Sequence, residues 1–509
     1  MEEHIEYGPR HGMSVMKRVV KLDGEWRLAY FDPGGGSAYE PSYDDSEWLP
    51  AIVPGDVHLD LVRQGLLPDP YYHLNFREHY WVEEKEWWYR RRFTVEGGFV
   101  RAFLVFEGVD TLFTAWLNGV ELGSHGNMFT AKRFDVTGIL EGDNVLAVRI
   151  SPVRRVYEGR DLRGVRPGKA LERLFVRKAQ MCFGWDIAPR LVTVGIWRDV
   201  KLVLTDWAEI LDVYVRPILK GERCTLRVTL EVANYLSQAR RALVEVEVES
   251  GGRGEASVKR VVELLPGLNS VVVDVELGRV RYWWPWDKGD PHLYLIKAVV
   301  RDGDSVVDRV ERSFGVRRVE LVLSENGRKV FYFKINGEKV RARGFNWTPP
   351  DSIFVRTSPE DYSKLLEMVR EANANMVRVW GGGVYPPDEF YDACDRLGIM
   401  VWQDFMFACG AYPRDHLFLI EAVEEARGIV RRLRNHPSVV LWCGDNENDA
   451  IFHPEGHPLN RFALREVCES LDPDRPYWPS SPSGGEDPND PREGDTHIWH
   501  HGEPYNSEI

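Results

Sequence analysis

Where the chain reads Gly444-Asp445-Asn446-Glu447-Asn448-Asp449, three carboxylates and two carboxamides follow directly on the apolar run Ser438-Val439-Val440-Leu441-Trp442-Cys443. A carboxyl placed just past such a strand-like run is partly desolvated. Desolvation raises an acid's pKa toward the range in which it can donate a proton near neutrality. Glu447 is on this ground the candidate general acid, and Asn446 beside it a candidate to hold a substrate hydroxyl. The competing reading is that Asp445, Glu447 and Asp449 are solvated loop acids or charges at a helix N-terminus. Polar and aromatic groups also close three other apolar runs, at Gly344-Phe345-Asn346-Trp347, at Arg378-Val379-Trp380-Gly381-Gly382-Gly383 and at Gln403-Asp404-Phe405.

Those run-ends need a scaffold that presents them on one rim. After about residue 335 apolar runs alternate with helical stretches, which implies βα units and parallel strands. The expected strands are VRARGFNW, ANMVRVW, IMVWQDF and SVVLWCG, followed by the fainter PYWPSSP and DTHIWHH; the expected helices include PEDYSKLLEMVREA, PDEFYDACDRLG and HLFLIEAVEEARGIVRRLR. In a (β/α)8 TIM-type barrel the reactive groups gather at the C-terminal strand ends, and a closed barrel usually takes about 250 residues. Too few follow Val340 for that, so about six of eight strands are expected over 319–509 and the barrel reads as incomplete.

Before the barrel the pattern is all β. Runs such as WWYRRRFTV, RAFLVFEGV, LFTAWLNGVEL, NVLAVRIS and WRDVKLVLT mark a jelly-roll-like, sugar-binding-type β-sandwich over 18–205. The runs CTLRVTLEVAN, ALVEVEVES, NSVVVDVEL and HLYLIKAVVRD suit an immunoglobulin-like β-sandwich over 206–318. The Gly97-Gly98 segment and the stretch Gly251 to Glu255 are read as hairpin loops, and Trp283, Trp284 and Trp286 as core or interdomain packing rather than ligand surfaces.

Composition narrows the partner. Lys and Arg number 65 against 79 Asp and Glu, a formal charge of −14. That balance repels polyphosphate and argues against nucleic acid or an anionic membrane. A neutral ligand fits better, and indole faces, of which the 18 Trp supply many, stack well on the C–H faces of sugars. Six cysteines without a CxxC pair indicate neither a disulfide framework nor a zinc cage. No apolar core of a leader stands near the N-terminus and no run of about twenty apolar residues occurs, which points to a soluble cytoplasmic protein. His497, His500 and His501 lack the further ligands a metal site would use, and Gly381-Gly382-Gly383, with no Lys-Ser/Thr after it, is a tight turn rather than a phosphate loop.

The longest stretches, NMVRVWGGGVYPPDEFYDACDRLGIMVWQDFMFAC and NHPSVVLWCGDNEN, resemble glycoside hydrolase family 2, and among its members the β-mannosidases. LDGEWRL, VPGDVHLDL, WLNGVELGSHGNMF, RKAQMCFGWDIAPRLVTVGIWRDVKL, WWPWDKGDPHLY and FGVRRVEL agree, so the likeness runs from about residue 20 to the end. It implies exo-acting, retaining hydrolysis of terminal β-D-mannose by two carboxyl groups about 5–5.5 Å apart. Glu447 matches the acid/base and Asn446 the residue on the sugar 2-hydroxyl. Trp380 matches the stacking wall of the terminal-sugar pocket, and Asp404 a polar group at its floor. Asp186, after Trp185, resembles the acid lent by the first domain, Asn346 and Arg378 match barrel residues lining the site, and His497 is a further sugar-contacting candidate. No organic cofactor or metal is implied.

Two departures bear on this reading. The family's Trp-Gly-Pro after Gly-Trp-Asp is here Ile187-Ala188-Pro189, and the nucleophile belongs to a Ser-Glu-Phe-Gly-like motif after the seventh strand. Glu508 follows a Ser, but Gly494 to Pro504 resembles the sixth-strand segment, so Glu508 is the weaker candidate and the nucleophile with the last two βα units is expected outside this chain. A second polypeptide completing the barrel is one way to supply them. The alternatives are another family 2 exo-activity, on glucosaminides, galactosides or glucuronides, or a truncated carbohydrate-binding remnant without turnover.

Overall fold

In the computed structural model, which describes residues 17–221, 223–451 and 456–498, the alternating runs of the first 205 residues form two facing antiparallel sheets. The six-stranded sheet centres on Glu86–Thr94 and Asp143–Ser151, the four-stranded one on Val200–Thr205 and Arg101–Phe106. Alternation puts Trp26, Leu28, Trp87, Tyr89, Leu104, Phe106, Leu202 and Leu204 into one shared core. Leu112–Leu117 and Val120–His125 pair as a hairpin whose two-residue turn, Asn118-Gly119, has φ of 52° and 83°, the left-handed geometry that Asn-Gly tolerates. The Gly97-Gly98 segment differs from expectation. The strands it joins, Glu86–Thr94 and Arg101–Phe106, lie in opposite sheets, so it is a cross-sandwich connection and not a hairpin. Gly251-Gly252 does close a hairpin, between Arg240–Ser250 and Arg253–Leu264.

The second unit packs a three-stranded sheet (Ala208–Lys220, Arg223–Asn234, Gly267–Arg279) on a four-stranded one (Arg253–Leu264, Arg240–Ser250, Tyr294–Asp302, Ser305–Phe314), the seven-strand plan of an immunoglobulin-like sandwich. Its tail carries Trp283, fully buried with its indole N–H on Asp395 O at 2.9 Å, and Trp286, whose N–H meets Ala374 O at 2.8 Å. These indoles tie the sandwich to the barrel unit.

A short antiparallel sheet, Val319–Glu325, Arg328–Ile335 and Glu338–Val340, precedes the parallel one. The expected strand VRARGFNW is therefore two elements, with Val340 ending an antiparallel strand and Gly344–Trp347 opening the parallel sheet. The parallel order is Gly344–Trp347, Met376–Val379, Met400–Asp404, Val439–Cys443, Tyr477–Trp478. The third and fourth strands are buried at every residue, as parallel strands covered on both faces require. Gly344, Phe345 and Asn346 on the first strand are exposed. Residues 495–498, expected to begin a sixth strand, make none; the rest of that segment lies outside the described residues. Ser358, with its hydroxyl on Asp361 N and the Asp361 carboxylate on Ser358 N, boxes the start of helix Pro359–Glu371. All six cysteines are free thiols, and among the described residues no helix is long and apolar enough to cross a membrane.

Candidate active site

The C-terminal ends of the second, third and fourth parallel strands meet around one guanidinium. Arg378 donates from Nη2 to Asp404 Oδ2 (2.7 Å) and Asn446 Oδ1 (3.0 Å), and from Nη1 to Asn346 Oδ1 (3.3 Å). Asp404, fully buried, also accepts from Gly381 N (3.0 Å) and Trp402 Nε1 (3.0 Å). Burial works to lower the pKa of Arg378, but the charge of Asp404 outweighs it and holds the cation more firmly than usual. Asn346, Arg378, Asp404 and Asn446 thus form one continuous polar floor.

Glu447 sits beside that floor at 7% exposure, with φ of 63°, a left-handed conformation unusual for a residue with a side chain. Neighbouring hydrogen bonds hold it there: Glu447 N donates to Ser481 O (2.8 Å), Asn446 N to Phe407 O (2.9 Å) and Ser481 N to Asp445 O (3.0 Å). Non-glycine residues kept in this region cluster at functional sites. Both carboxylate oxygens have donors. His497 Nδ1 lies 2.7 Å from Oε1 and the Cys409 thiol donates to Oε2 at 3.2 Å. The expectation of a raised pKa is corrected by these contacts. Burial does push the Glu447 carboxyl up, yet the hydrogen bonds of His497 and Cys409, with the positive charge of Arg378, together bring it below the ordinary glutamate range. A further carboxylate nearby would act in the opposite direction.

The solvated-acid reading of the neighbouring aspartates does not hold, since Asp445 and Asp449 are 1% and 0% exposed. Asp445 accepts from Ser480 Oγ, Asn448 N and Asn460 Nδ2, and burial with the charge of Asp449 pushes its carboxyl well up. With both oxygens occupied, Asp445 is scaffold for the Asn446-Glu447 loop.

The first sandwich supplies the opposite wall. Trp185 meets Trp380 edge to face, ring centroids 5.3 Å apart at 69°, while Lys169 lies 4.4 Å over the Trp185 ring. Trp185 N donates to Ala188 O (2.8 Å), closing a tight loop whose exposed tip is Asp186-Ile187. The Gly381-Gly382-Gly383 segment is the expected turn, and glycine is required: a Cβ on Gly382 would stand 2.1 Å from the Trp380 ring. Arg173, fully buried, reaches from the sandwich to Ala408 O (2.8 Å) and Cys409 O (2.5 Å), and Arg177 forks onto Glu425 (2.7 and 2.8 Å).

Sequence comparison agrees with this three-unit architecture. Residues 39–198 match the glycosyl hydrolase 2 galactose-binding domain-like family, 208–317 glycosyl hydrolases family 2, and 329–478 the family 2 TIM barrel domain. The chain belongs to glycosyl hydrolases family 2. A β-mannosidase B of Thermothelomyces thermophilus is 34% identical, the match covering 94% of this chain and 58% of that protein. Among solved structures, the β-D-mannosidase of Dictyoglomus thermophilum is 40% identical with a TM-score of 0.87, over 95% of this chain and 60% of that one. An exo-chitosanase of Amycolatopsis orientalis, 22% identical with a TM-score of 0.73 over 92% of this chain and 53% of that one, shares the fold. The chain spans about 60% of the length of the mannosidases it matches.

The structure brings together Asn346, Arg378, Asp404, Asn446, Glu447 and His497, with Trp380 and Trp185 paired above them and Asp186 at an exposed loop tip. Glu508, His500 and His501 lie outside the described residues. Sequence reasoning assigned nothing to Cys409, Ser481 or Asp495. The one available signal was Cys409 in FMFAC, directly after a barrel strand. Among the described residues, one His/carboxylate group has metal-like spacing, Asp392, Asp395 and His436. It stands before the fourth strand, on the rim opposite Glu447, where Asp395 is already bonded to His436 Nδ1 (2.7 Å) and Ser438 N (3.0 Å). That is an ion pair bracing a helix against a strand.

Proposed function

We propose that this chain carries the acid/base half of an exo-acting, retaining β-mannosidase that removes terminal non-reducing β-D-mannose residues. The observation supporting it most directly is Glu447 on the C-terminal barrel rim, with both oxygens hydrogen-bonded and Asn446, Arg378 and Asp404 continuous with it. Glu447 delivers a proton to the departing glycosidic oxygen and then takes one from water. Asn446, oriented by Arg378 on one side and by its Nδ2–H on Cys409 Sγ (3.4 Å) on the other, presents its amide to the sugar 2-hydroxyl. Trp380 and Trp185 close one face of the terminal sugar, Asp404 and Asn346 line its floor, and Asp186 adds a carboxylate at the rim. The named mannosidases among its relatives favour mannose over other sugars.

The partner carboxylate comes from polypeptide outside the described residues. Among those residues the strand Gly344–Trp347 pairs on one side only and exposes Phe345 at 53%, an edge that a further parallel strand would cover. That strand is supplied by a continuation of the barrel or by a second polypeptide. The site works in the cytoplasm on soluble mannosides. A panel of aryl β-glycosides tests the reading, with the chain assayed alone and together with polypeptide encoded beside it. Turnover of mannosides above gluco-, galacto-, glucosamino- and glucurono-configured substrates is expected once the barrel is complete. Binding of mannose without hydrolysis in any combination refutes it in favour of a carbohydrate-binding remnant.

A further inference from the structure

Behind Glu447 runs a chain of hydrogen bonds whose directions are fixed at its far end. Asp495 Oδ1 accepts from Trp478 Nε1 (2.7 Å) and Ser483 N (2.9 Å), and its Oδ2 lies 2.6 Å from Ser481 Oγ. Asp495 as a carboxylate can only accept, so the single hydroxyl proton of Ser481 goes to it. The Ser481 oxygen, 3.0 Å from His497 Nε2, is then left to accept. Nε2 must therefore carry a proton. The other ring nitrogen, Nδ1, faces Glu447 Oε1 at 2.7 Å. The His497 backbone is clamped as well, its N–H on Asn489 Oδ1 (2.7 Å) and its carbonyl taking Asn489 Nδ2–H (2.9 Å).

With Nε2 committed, one further proton is shared across the short contact between Nδ1 and Oε1. On Oε1 it makes a neutral acid bonded to a neutral imidazole; on Nδ1 it makes a carboxylate–imidazolium pair. We propose that His497 and Glu447 act as one proton-holding unit, with Ser481 and Asp495 as positioning residues that fix the imidazole tautomer. This rests on the acid/base assignment above and deepens it. In the first step the unit gives its shared proton, through Glu447, to the glycosidic oxygen as the bond from that oxygen to the anomeric carbon breaks and the partner carboxylate bonds the same carbon. In the second, water gives a proton back to the unit while its oxygen bonds the anomeric carbon and the partner carboxylate leaves with its electron pair, so protons and bonds balance over the cycle. The 2.7 Å contact lets Glu447 draw the proton from the neighbouring nitrogen as it acts as the acid. Among the described residues, the charged or titratable groups facing the unit are Cys409 on Oε2, Arg378 from the second strand and Asp495 behind Ser481.

The test is 15N NMR of the full chain labelled at histidine. The His497 signals are assigned by their loss in His497→Gln or, should that variant not fold, by the movement of Nδ1 in Glu447→Gln. Nε2 is expected to keep a protonated, pyrrole-type shift throughout the folded pH range, and in Ser481→Ala a share of the Nδ1–H tautomer should appear. A lone-pair-type Nε2 in the unaltered protein, or an unchanged tautomer in Ser481→Ala, overturns the proposal. Where the completed barrel turns over aryl mannosides, Ser481→Ala should lower kcat for a poor leaving group about tenfold more than for a dinitrophenolate, with KM little changed; equal losses also overturn it. If there is no turnover at all, the glycosidase reading fails while the tautomer measurement still decides the proton-sharing unit.

Discussion

Replacing Glu425 by Gln should loosen the first sandwich from the barrel, and the size of the effect follows from what Glu425 neutralises. Its carboxylate is 1% exposed and accepts four donors: Arg177 Nε (2.7 Å) and Nη2 (2.8 Å), Asn127 Nδ2 (2.9 Å) and Tyr385 OH (2.9 Å). Arg177 is equally buried and spends its remaining reach on Met406 O (2.8 Å), beside the third barrel strand. Gln keeps the shape but removes the charge and turns one acceptor into an NH2 group facing other N–H donors. Breaking one side of a buried pair costs about 3–5 kcal/mol, because the remaining cation stays buried without a counter-charge. With a urea dependence of about 3 kcal/mol/M, the corresponding transition should move down by roughly 1–1.7 M. Tryptophan fluorescence is a suitable probe, since Trp185 and Trp380 meet at the same junction. Arg177→Met with Glu425→Leu should recover part of the loss, because neither charge is then stranded. A shift below about 0.2 M for Glu425→Gln, or single losses that simply add in the double variant, would refute the reasoning.

Glu447→Gln should lower kcat about 10²–10⁴-fold for a substrate whose leaving group needs protonation and spare one that departs as a stable anion; equal rates on poor leaving groups remove Glu447 from its role. The carboxyl of Glu447 is held below its unfolded value, so its stabilising contribution is complete above the ordinary glutamate range and is lost as pH falls through the depressed folded value. Unfolding curves of the unaltered protein and Glu447→Gln should therefore converge in acid, and a pH-independent difference would contradict the assignment. Gly382→Ala must displace the Trp380 ring and should raise KM for mannosides roughly tenfold, at a cost of about 1–3 kcal/mol in stability. An unchanged KM would show that Trp380 does not wall the sugar. Asp404→Asn leaves Arg378 without its buried counter-charge, so binding of mannose measured by calorimetry should weaken by at least an order of magnitude, as expected for losing one partner of a buried pair.

Much of the fold was legible because its signals are local. Apolar runs with period two marked the sandwich strands, and unbroken runs such as VVLWC marked strands covered on both faces. The split of VRARGFNW is not visible in the run itself, because Arg341 and Arg343 alternate with Val340, Ala342 and Gly344 as they would in a half-exposed strand; the pairing partners alone separate Val340 from Gly344. The Gly97-Gly98 connection departs from the expected hairpin because a turn sequence does not say whether its strands pair with each other or across a core.

For the site, local sequence pointed to the strand ends, with Asn446 and Glu447 just past the apolar run that closes at Cys443, while site roles for Asn346, Arg378 and Asp404 came from the resemblance to family 2. Tertiary structure decided the ionisation of Glu447. Its partners stand 38 positions before it, at Cys409, and 50 after it, at His497, and the tautomer of His497 depends on Ser481 and Asp495. Burial alone, which sequence can anticipate, raises a carboxyl's pKa. The hydrogen bonds and charges that reverse it act over a few ångströms between residues distant along the chain, and nothing short of the folded arrangement sets their balance.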